Sequence, residues 1–161
     1  NEDFKGMIKI LFVCHGNICR SPMAEFIMKD LIAKKNLEHF FYIASAATST
    51  EEIWNGVGNT VYPMAQEELK KHAIFCGNKR AVQVTKQDYE AYDYLICMDT
   101  HNLRNLERII GKDVDHKVSL LLDYAGRKGE SIADPWYTQR FNITYADILQ
   151  GCLGLLQFLG F

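Results

Sequence analysis

Apolar positions along the chain fall into short solid blocks alternating with longer stretches that repeat every three to four residues. Residues 7–13 (Met-Ile-Lys-Ile-Leu-Phe-Val) are strand formers interrupted only by Lys9, which predicts a buried first strand. Ser21-Pro22 then opens a helix, since proline suits a first turn and serine is a good cap. Met23, Phe26, Ile27, Leu31 and Ile32 form its apolar stripe. Residues 40–46 predict a second strand, and the polar stretch 48–60, with Gly56 and Gly58, a long loop. Pro63 starts another helix with Met64, Ala65, Leu69 and His72 on one side. Residues 92–98 predict the third strand, and Asp99 or Thr100 caps a helix carrying Leu103, Leu106 and Ile110. A fourth strand spans 118–122, and 123–134 is loop. The last helix repeats Tyr145, Ile148, Leu149, Cys152, Leu155, Leu156 and Leu159 at helical spacing despite Gly151 and Gly154. Short strands separated by crossover helices imply an α/β fold with a mostly parallel sheet, whose ligands bind beyond the carboxyl ends of the strands.

The 161 residues suit one domain, and 48% hydrophobic with 24% charged content suits a packed core. Residues 1–6 read as a disordered or remnant lead-in and residues 7–161 as the domain. Lys and Arg total 18 against 20 Asp and Glu, so there is no broad basic face of the kind nucleic-acid binding needs. Any bound anion must be held by a local device. No apolar run reaches the roughly 18–20 residues of a membrane span. Five cysteines, an odd number without close pairing, fit a reduced cytoplasmic chain better than a disulfide scaffold. Without Cys-x-x-Cys or paired Cys/His sets, no metal site is expected.

Chemistry concentrates where the first strand meets the first helix, in Cys14, His15, Gly16, Asn17, Ile18, Cys19, Arg20, Ser21 and Pro22. A helix N-terminus offers unpaired N–H groups and a positive dipole end to an anion. Gly16 and Asn17 tolerate the backbone angles that turn several N–H groups towards one point. Arg20 adds a planar fork for two oxygens of a tetrahedral oxyanion. Cys14 lies at the floor, in a field that favours thiolate. A thiolate in a cradle built for a dianion is a nucleophile aimed at phosphorus. The bland alternative leaves Cys14 and Cys19 as small buried hydrophobes. A nucleotide P-loop does not fit, because there is no Gly-Lys-Ser/Thr ending.

The run from Cys14 to Pro22 near the N-terminus, with Asp134-Pro135-Trp136-Tyr137 far downstream, resembles the low-molecular-weight protein tyrosine phosphatases. The likeness extends over nearly the whole chain. It implies a single three-layer α/β/α domain with a four-stranded parallel sheet, no cofactor, and hydrolysis of phosphotyrosine or other aryl phosphates. It also implies Cys14 as nucleophile, Arg20 and the amides of residues 15–21 as the phosphate cradle, and Asp134 as general acid. From spacing alone, Asp134 reads first as a plain Asp-Pro turn, and the acid role comes from the resemblance. Trp136 and Tyr137 are candidate substrate walls or ordinary packing, and Trp54 another wall or an incidental surface residue. Asn17, Ser21, Ser45 and His72 match the family's loop supports, although His72 by itself reads as a solvated helix residue. The family also suggests a reversible bond between Cys14 and Cys19; the alternative is a passive Cys19.

Arsenate reductases share the loop but need further cysteines to pass a disulfide onwards, and Cys76, Cys97 and Cys152 look structural. Phosphoarginine phosphatases tend to carry Thr where this loop has Ile18, which favours an aryl ester. A phosphate-binding or redox module without turnover is the non-enzymatic alternative. The expected partner is a phosphotyrosine-containing protein or small aryl phosphate, with no nucleic acid and no membrane. The chain is expected to be a monomer, with the apolar end of the last helix as core.

Overall fold

Ile10, Leu11, Phe12, Val13 and Cys14 are all buried, which a strand can accommodate only when both faces of its sheet are covered. In the computed structural model, which describes residues 6–161, this strand is β1 (Ile8–Cys14). The further strands are β2 (Phe41–Ala47), β3 (Ile53–Trp54), β4 (Val57–Gly58), β5 (Tyr94–Cys97) and β6 (Val118–Leu120). Four of them form a parallel sheet in the order β2-β1-β5-β6. The helices are α1 (Arg20–Lys34), α2 (Pro63–Lys70), α3 (Asp88–Ala91), α4 (Thr100–Ile110), α5 (Pro135–Thr138) and α6 (Phe141–Phe158).

Period-two alternation divides the interior into two cores, one on each face of the sheet. Ile10, Phe12, Ile96 and Met98 pack with Met23 and Ile27 of α1 and with Ile148, Cys152 and Leu155 of α6. Leu11, Val13, Leu95 and Cys97 pack with Leu106 and Ile110 of α4. The domain is therefore the expected three-layer α/β/α arrangement around a four-stranded parallel sheet. No helix among the described residues is long and apolar enough to cross a membrane.

Several expectations need correction. The stretch 48–60 is not all loop: β3 and β4 pair as an antiparallel hairpin. Its turn residues, Asn55 and Gly56, both have positive φ, the left-handed pair that a tight two-residue hairpin requires. Helix α1 starts at Arg20 with Cys19 as a cap that makes no side-chain bond, so Ser21 is free for another use. Helix α2 ends at Lys70, before His72. Beyond β6 the chain tightens into a 3-10 turn, Leu121–Ala125, closed by the left-handed Gly126. That turn lies against the two glycines of α6. A Cβ on Gly151 would fall 2.5 Å from Leu121 Cγ, and one on Gly154 would fall 2.0 Å from the Tyr124 carbonyl oxygen. The glycines are thus where helix and turn touch, not breaks in the helix. The lead-in expected over residues 1–6 lies outside the described residues except for the exposed Gly6.

Candidate active site

Strand β1 ends at Cys14 and α1 begins at Arg20, so residues 15–19 must turn the chain from sheet to helix. Asn17 takes φ 60°, a left-handed conformation that Asn tolerates better than most side chains. The loop's carbonyls are drawn outward: Thr48 N–H donates to the Cys14 carbonyl at 2.9 Å, Ser49 N–H to His15 at 3.0 Å and Tyr62 N–H to Ile18 at 2.8 Å. Among the described residues, no protein acceptor takes the N–H groups of Gly16, Ile18, Cys19 or Arg20. The Asn17 N–H reaches the Cys14 sulfur at 3.3 Å. The result is a ring of donors above a buried sulfur, at the positive end of α1.

The Arg20 side chain is 4% exposed and held from behind. Its Nη1 donates to Asp99 Oδ2 at 2.8 Å and to the Ile132 carbonyl at 2.7 Å. A guanidinium has five N–H groups, and those two bonds use both on Nη1. The edge formed by Nε and Nη2 is left for a bidentate oxyanion. Burial works against the charge, but Cys14, Asp99 and Asp134 outweigh it and hold Arg20 above its already high ordinary pKa.

Asp134 caps the short α5, its Oδ1 accepting the Trp136 N–H at 3.0 Å. Its Oδ2 stands 3.6 Å from Arg20 Nη2, with the side chain 32% exposed, so one oxygen faces the cradle. A cavity of about 210 Å³ opens above Cys14, walled by the loop, Asp134, Trp136 and Tyr137. Trp136 meets Tyr62 edge-on at 5.0 Å, while Tyr137 is almost fully exposed. Trp54, the third expected wall, does not line this cavity: it is 79% exposed on the hairpin. The same segment instead presents Glu51 and Glu52 to the mouth. His15 lies at the rim with Nε2 3.0 Å from Glu51 Oε2.

Three of the four expected supports come together. Asn17 Nδ2 donates to Ser21 Oγ at 2.7 Å and to Ser45 Oγ at 2.9 Å, while its Oδ1 accepts the Val82 N–H at 3.1 Å. Ser21 Oγ lies 2.9 Å from the Cys14 sulfur. His72 is not part of this network. It stands past the end of α2, stacked on Tyr145 at 3.7 Å and 3.4 Å from Glu68. The cation beside Ser45 is Lys79, whose ammonium donates to the Ser45 carbonyl at 2.9 Å. Glu25, buried on α1, accepts the Ser45 hydroxyl at 2.6 Å.

Cys19 is buried behind the loop. Burial first, then the nearby Cys14 and Asp134, push its thiol up to about 12. All five cysteines are free thiols. Glu25, Lys79, Asp99, Glu51 and Glu52 escaped sequence reasoning. Glu25 had a legible signal, a charge one helical turn beyond Ser21 on the same face as Met28 and Ile32, and Asp99 had another, its place just past a strand's carboxyl end. Lys79 had none.

Residues 9–160 match the family model of the low molecular weight phosphotyrosine protein phosphatases. A low molecular weight phosphotyrosine protein phosphatase of Gallus gallus is 41% identical over 152 residues, covering 92% of this chain and 93% of that protein. The crystal structure of YfkJ from Bacillus subtilis superposes with a TM-score of 0.88 at 38% identity, covering 95% of this chain and 94% of the other. That of a drosophila arginine phosphatase superposes at 0.83 with 36% identity, covering 96% and 99%.

Proposed function

The chain belongs to the low molecular weight phosphotyrosine protein phosphatase family, and from that premise we propose that it hydrolyses phosphotyrosine and other aryl phosphates through Cys14. The single observation that carries this reading is the Cys14 sulfur beneath a ring of unpaired loop amides and the open edge of Arg20. Phosphoryl transfer asks the protein mainly for position and charge. The cradle fits the three non-bridging oxygens, with Arg20 Nε and Nη2 on two of them and loop amides on the rest. The Cys14 thiolate attacks in line; an S–P bond forms as the P–O bond to the phenol breaks. Asp134, one oxygen towards Arg20 and the other fixed by Trp136, gives its proton to the departing phenolate. It then takes a proton from water, whose oxygen attacks phosphorus and releases Cys14 and phosphate. Trp136 and Tyr137 flank the mouth, where an aryl ring would leave the pocket.

Burial of Cys76, Cys97 and Cys152 argues against arsenate reduction, which would need a second accessible thiol. Five free thiols support a reducing, cytoplasmic setting, and burial of Leu155 and Leu156 supports a monomer. Hydrolysis of para-nitrophenyl phosphate tests the reaction. Cys14→Ser is expected to abolish turnover and retain vanadate binding; vigorous hydrolysis by that variant would refute the role of Cys14. Phosphotyrosine and phosphoarginine, offered side by side, test the substrate. Preference for the phosphoguanidinium would overturn the aryl ester.

A further inference from the structure

Tyr62 is an unusual residue for a helix start. It is the N-cap of α2, a place that favours Ser, Thr, Asp or Asn, and its side chain makes no capping bond. Its backbone is nonetheless held at both ends. The N–H donates to the Ile18 carbonyl of the loop between β1 and α1 at 2.8 Å, and the carbonyl accepts the Gln66 N–H at 3.0 Å. Pro63, which follows, disfavours helical angles before it and keeps Tyr62 at φ −55° and ψ 135°. The ring meets two others instead of capping: Trp136 edge-on with centroids 5.0 Å apart, and Phe141 stacked at 6.1 Å. Trp136 lies in the short α5, just after Asp134, and Phe141 opens α6 beyond the left-handed Gln139.

The segment between those two rings needs an anchor from outside. Upstream of Asp134 the chain is pinned by its backbone: the Ile132 N–H donates to the Met98 carbonyl at 2.9 Å, and the Thr144 hydroxyl donates to the Ala133 carbonyl at 3.4 Å. Downstream it is not. Among the described residues, the hydrogen bonds of 135–139 all close within 134–140. Asp134 Oδ2 stands 3.6 Å from Arg20 Nη2, too long for a good hydrogen bond, so that contact does not fix its height. We infer that Tyr62 is a positioning residue for the general acid: tied to Ile18 by its N–H and to Trp136 and Phe141 by its ring, it seats the Asp134 segment over the cradle. Tyr62 packs against the core and does not line the cavity above Cys14, so it acts through Trp136 and not on the substrate. Aromatic pairs hold a preferred mutual geometry, which an aliphatic side chain of similar bulk does not supply.

The chemical consequence rests on the reading of Asp134 as general acid, but the seat of the segment can be measured without chemistry. The chain has two tryptophans, so Trp54→Phe leaves Trp136 as the one indole emitter. In that background Tyr62→Ala is expected to shift Trp136 emission to the red and to increase its quenching by acrylamide. Tyr62→Phe keeps the ring and is expected to change neither. In steady-state kinetics Tyr62→Ala is expected to cut kcat/KM for phenyl phosphate about tenfold, as loss of one or two ring contacts implies, and to leave para-nitrophenyl phosphate within about twofold. Nitrophenolate departs without a proton, so only the poorer leaving group feels a displaced acid. Vanadate affinity is expected to hold, since the Ile18 bond uses the Tyr62 backbone, and Tyr62→Phe is expected to match the parent throughout. Should Tyr62→Ala misfold, Tyr62→Leu fills the space without a ring and is expected to give the same split between esters. Equal slowing of both esters, or Trp136 quenching unchanged in the alanine and leucine variants, would overturn the inference. Hydrolysis of neither ester by the parent would instead strike the enzymatic reading, and the quenching alone would then decide whether Tyr62 seats the segment.

Discussion

Asp99 does two things at once, and two substitutions separate them. Its Oδ1 accepts the Asn102 N–H at 2.8 Å, capping α4, while its Oδ2 holds Arg20 Nη1 at 2.8 Å. Loss of the cap alone costs about 1 kcal/mol. Removing one partner of a fully buried ion pair costs about 3–5 kcal/mol. Asp99 is 15% exposed and Arg20 keeps the Ile132 carbonyl, so the lower part of that range applies here. Asp99→Ala should therefore lose about 3–4 kcal/mol in urea unfolding, a large share of the roughly 5–15 kcal/mol typical of a domain. Asp99→Asn keeps a good cap and a neutral acceptor, so it should lose only about 1 kcal/mol. Both variants loosen the brace behind Arg20, so vanadate affinity should fall with stability, and more in the alanine variant. If Asp99→Ala cost no more than the cap, or Asn cost as much as Ala, Asp99 would not be what holds the guanidinium.

Asp134→Ala should slow turnover of phenyl phosphate far more than that of para-nitrophenyl phosphate, since only the poor leaving group needs the proton; equal slowing in a series of phenols would contradict the role. Glu51→Gln with Glu52→Gln should raise kcat/KM for phosphotyrosyl peptides with acidic flanks and lower it for basic ones, because two carboxylates stand at the mouth; peptide steady-state kinetics decide. The buried thiols give an alkaline limit. Cys19 and Cys76 are raised from 9.0 to about 12 and about 11, each mainly by burial, so they favour the folded state fully below pH 9. That contribution is lost as pH rises from 9 through 11 and 12, and urea midpoints should fall over that window; a flat profile would contradict it. Gly154→Ala should destabilise by about 2 kcal/mol or more, because the new carbon meets a backbone carbonyl and not a movable side chain; thermal unfolding reads it directly.

The layers were legible because the strands are solid apolar blocks and the helices carry a stripe, two periods that differ plainly. The loop's geometry was legible for a related reason, being local: residues 14–22 contain the proposed nucleophile, the turn, the fork and the helix start in one reading frame. The hairpin was missed although Asn55-Gly56 is a strong turn signal, because its strands have two residues each and show no alternation. His72 illustrates a different failure. The likeness to the family assigned His72 a contact that depends on where a later loop returns. The loop that does return brings Lys79 from 34 residues beyond Ser45, and no periodic pattern records such a meeting.

Strand order explains why the parts of the site converge. From β1 the chain moves to β2 on one side, then crosses to β5 on the other, leaving a crevice at the carboxyl end of β1. Cys14 stands at its floor. The β2 end contributes Ser45, and the residue after Met98 beyond β5 contributes Asp99. After β6 the chain returns with the Ile132 carbonyl and Asp134. Asp99 thus holds Arg20 from one side of the crevice, and on the other Asn17 bonds both Ser21 and Ser45. A chain of net charge −2 thus gathers its anion-binding donors, the loop amides and the open edge of Arg20, at one point. Acid at the rim has the opposite sense: Glu51 and Glu52 oppose any anion not small enough to pass them and reach the amides. The floor selects for phosphate, and the mouth selects against negative charge on whatever carries it.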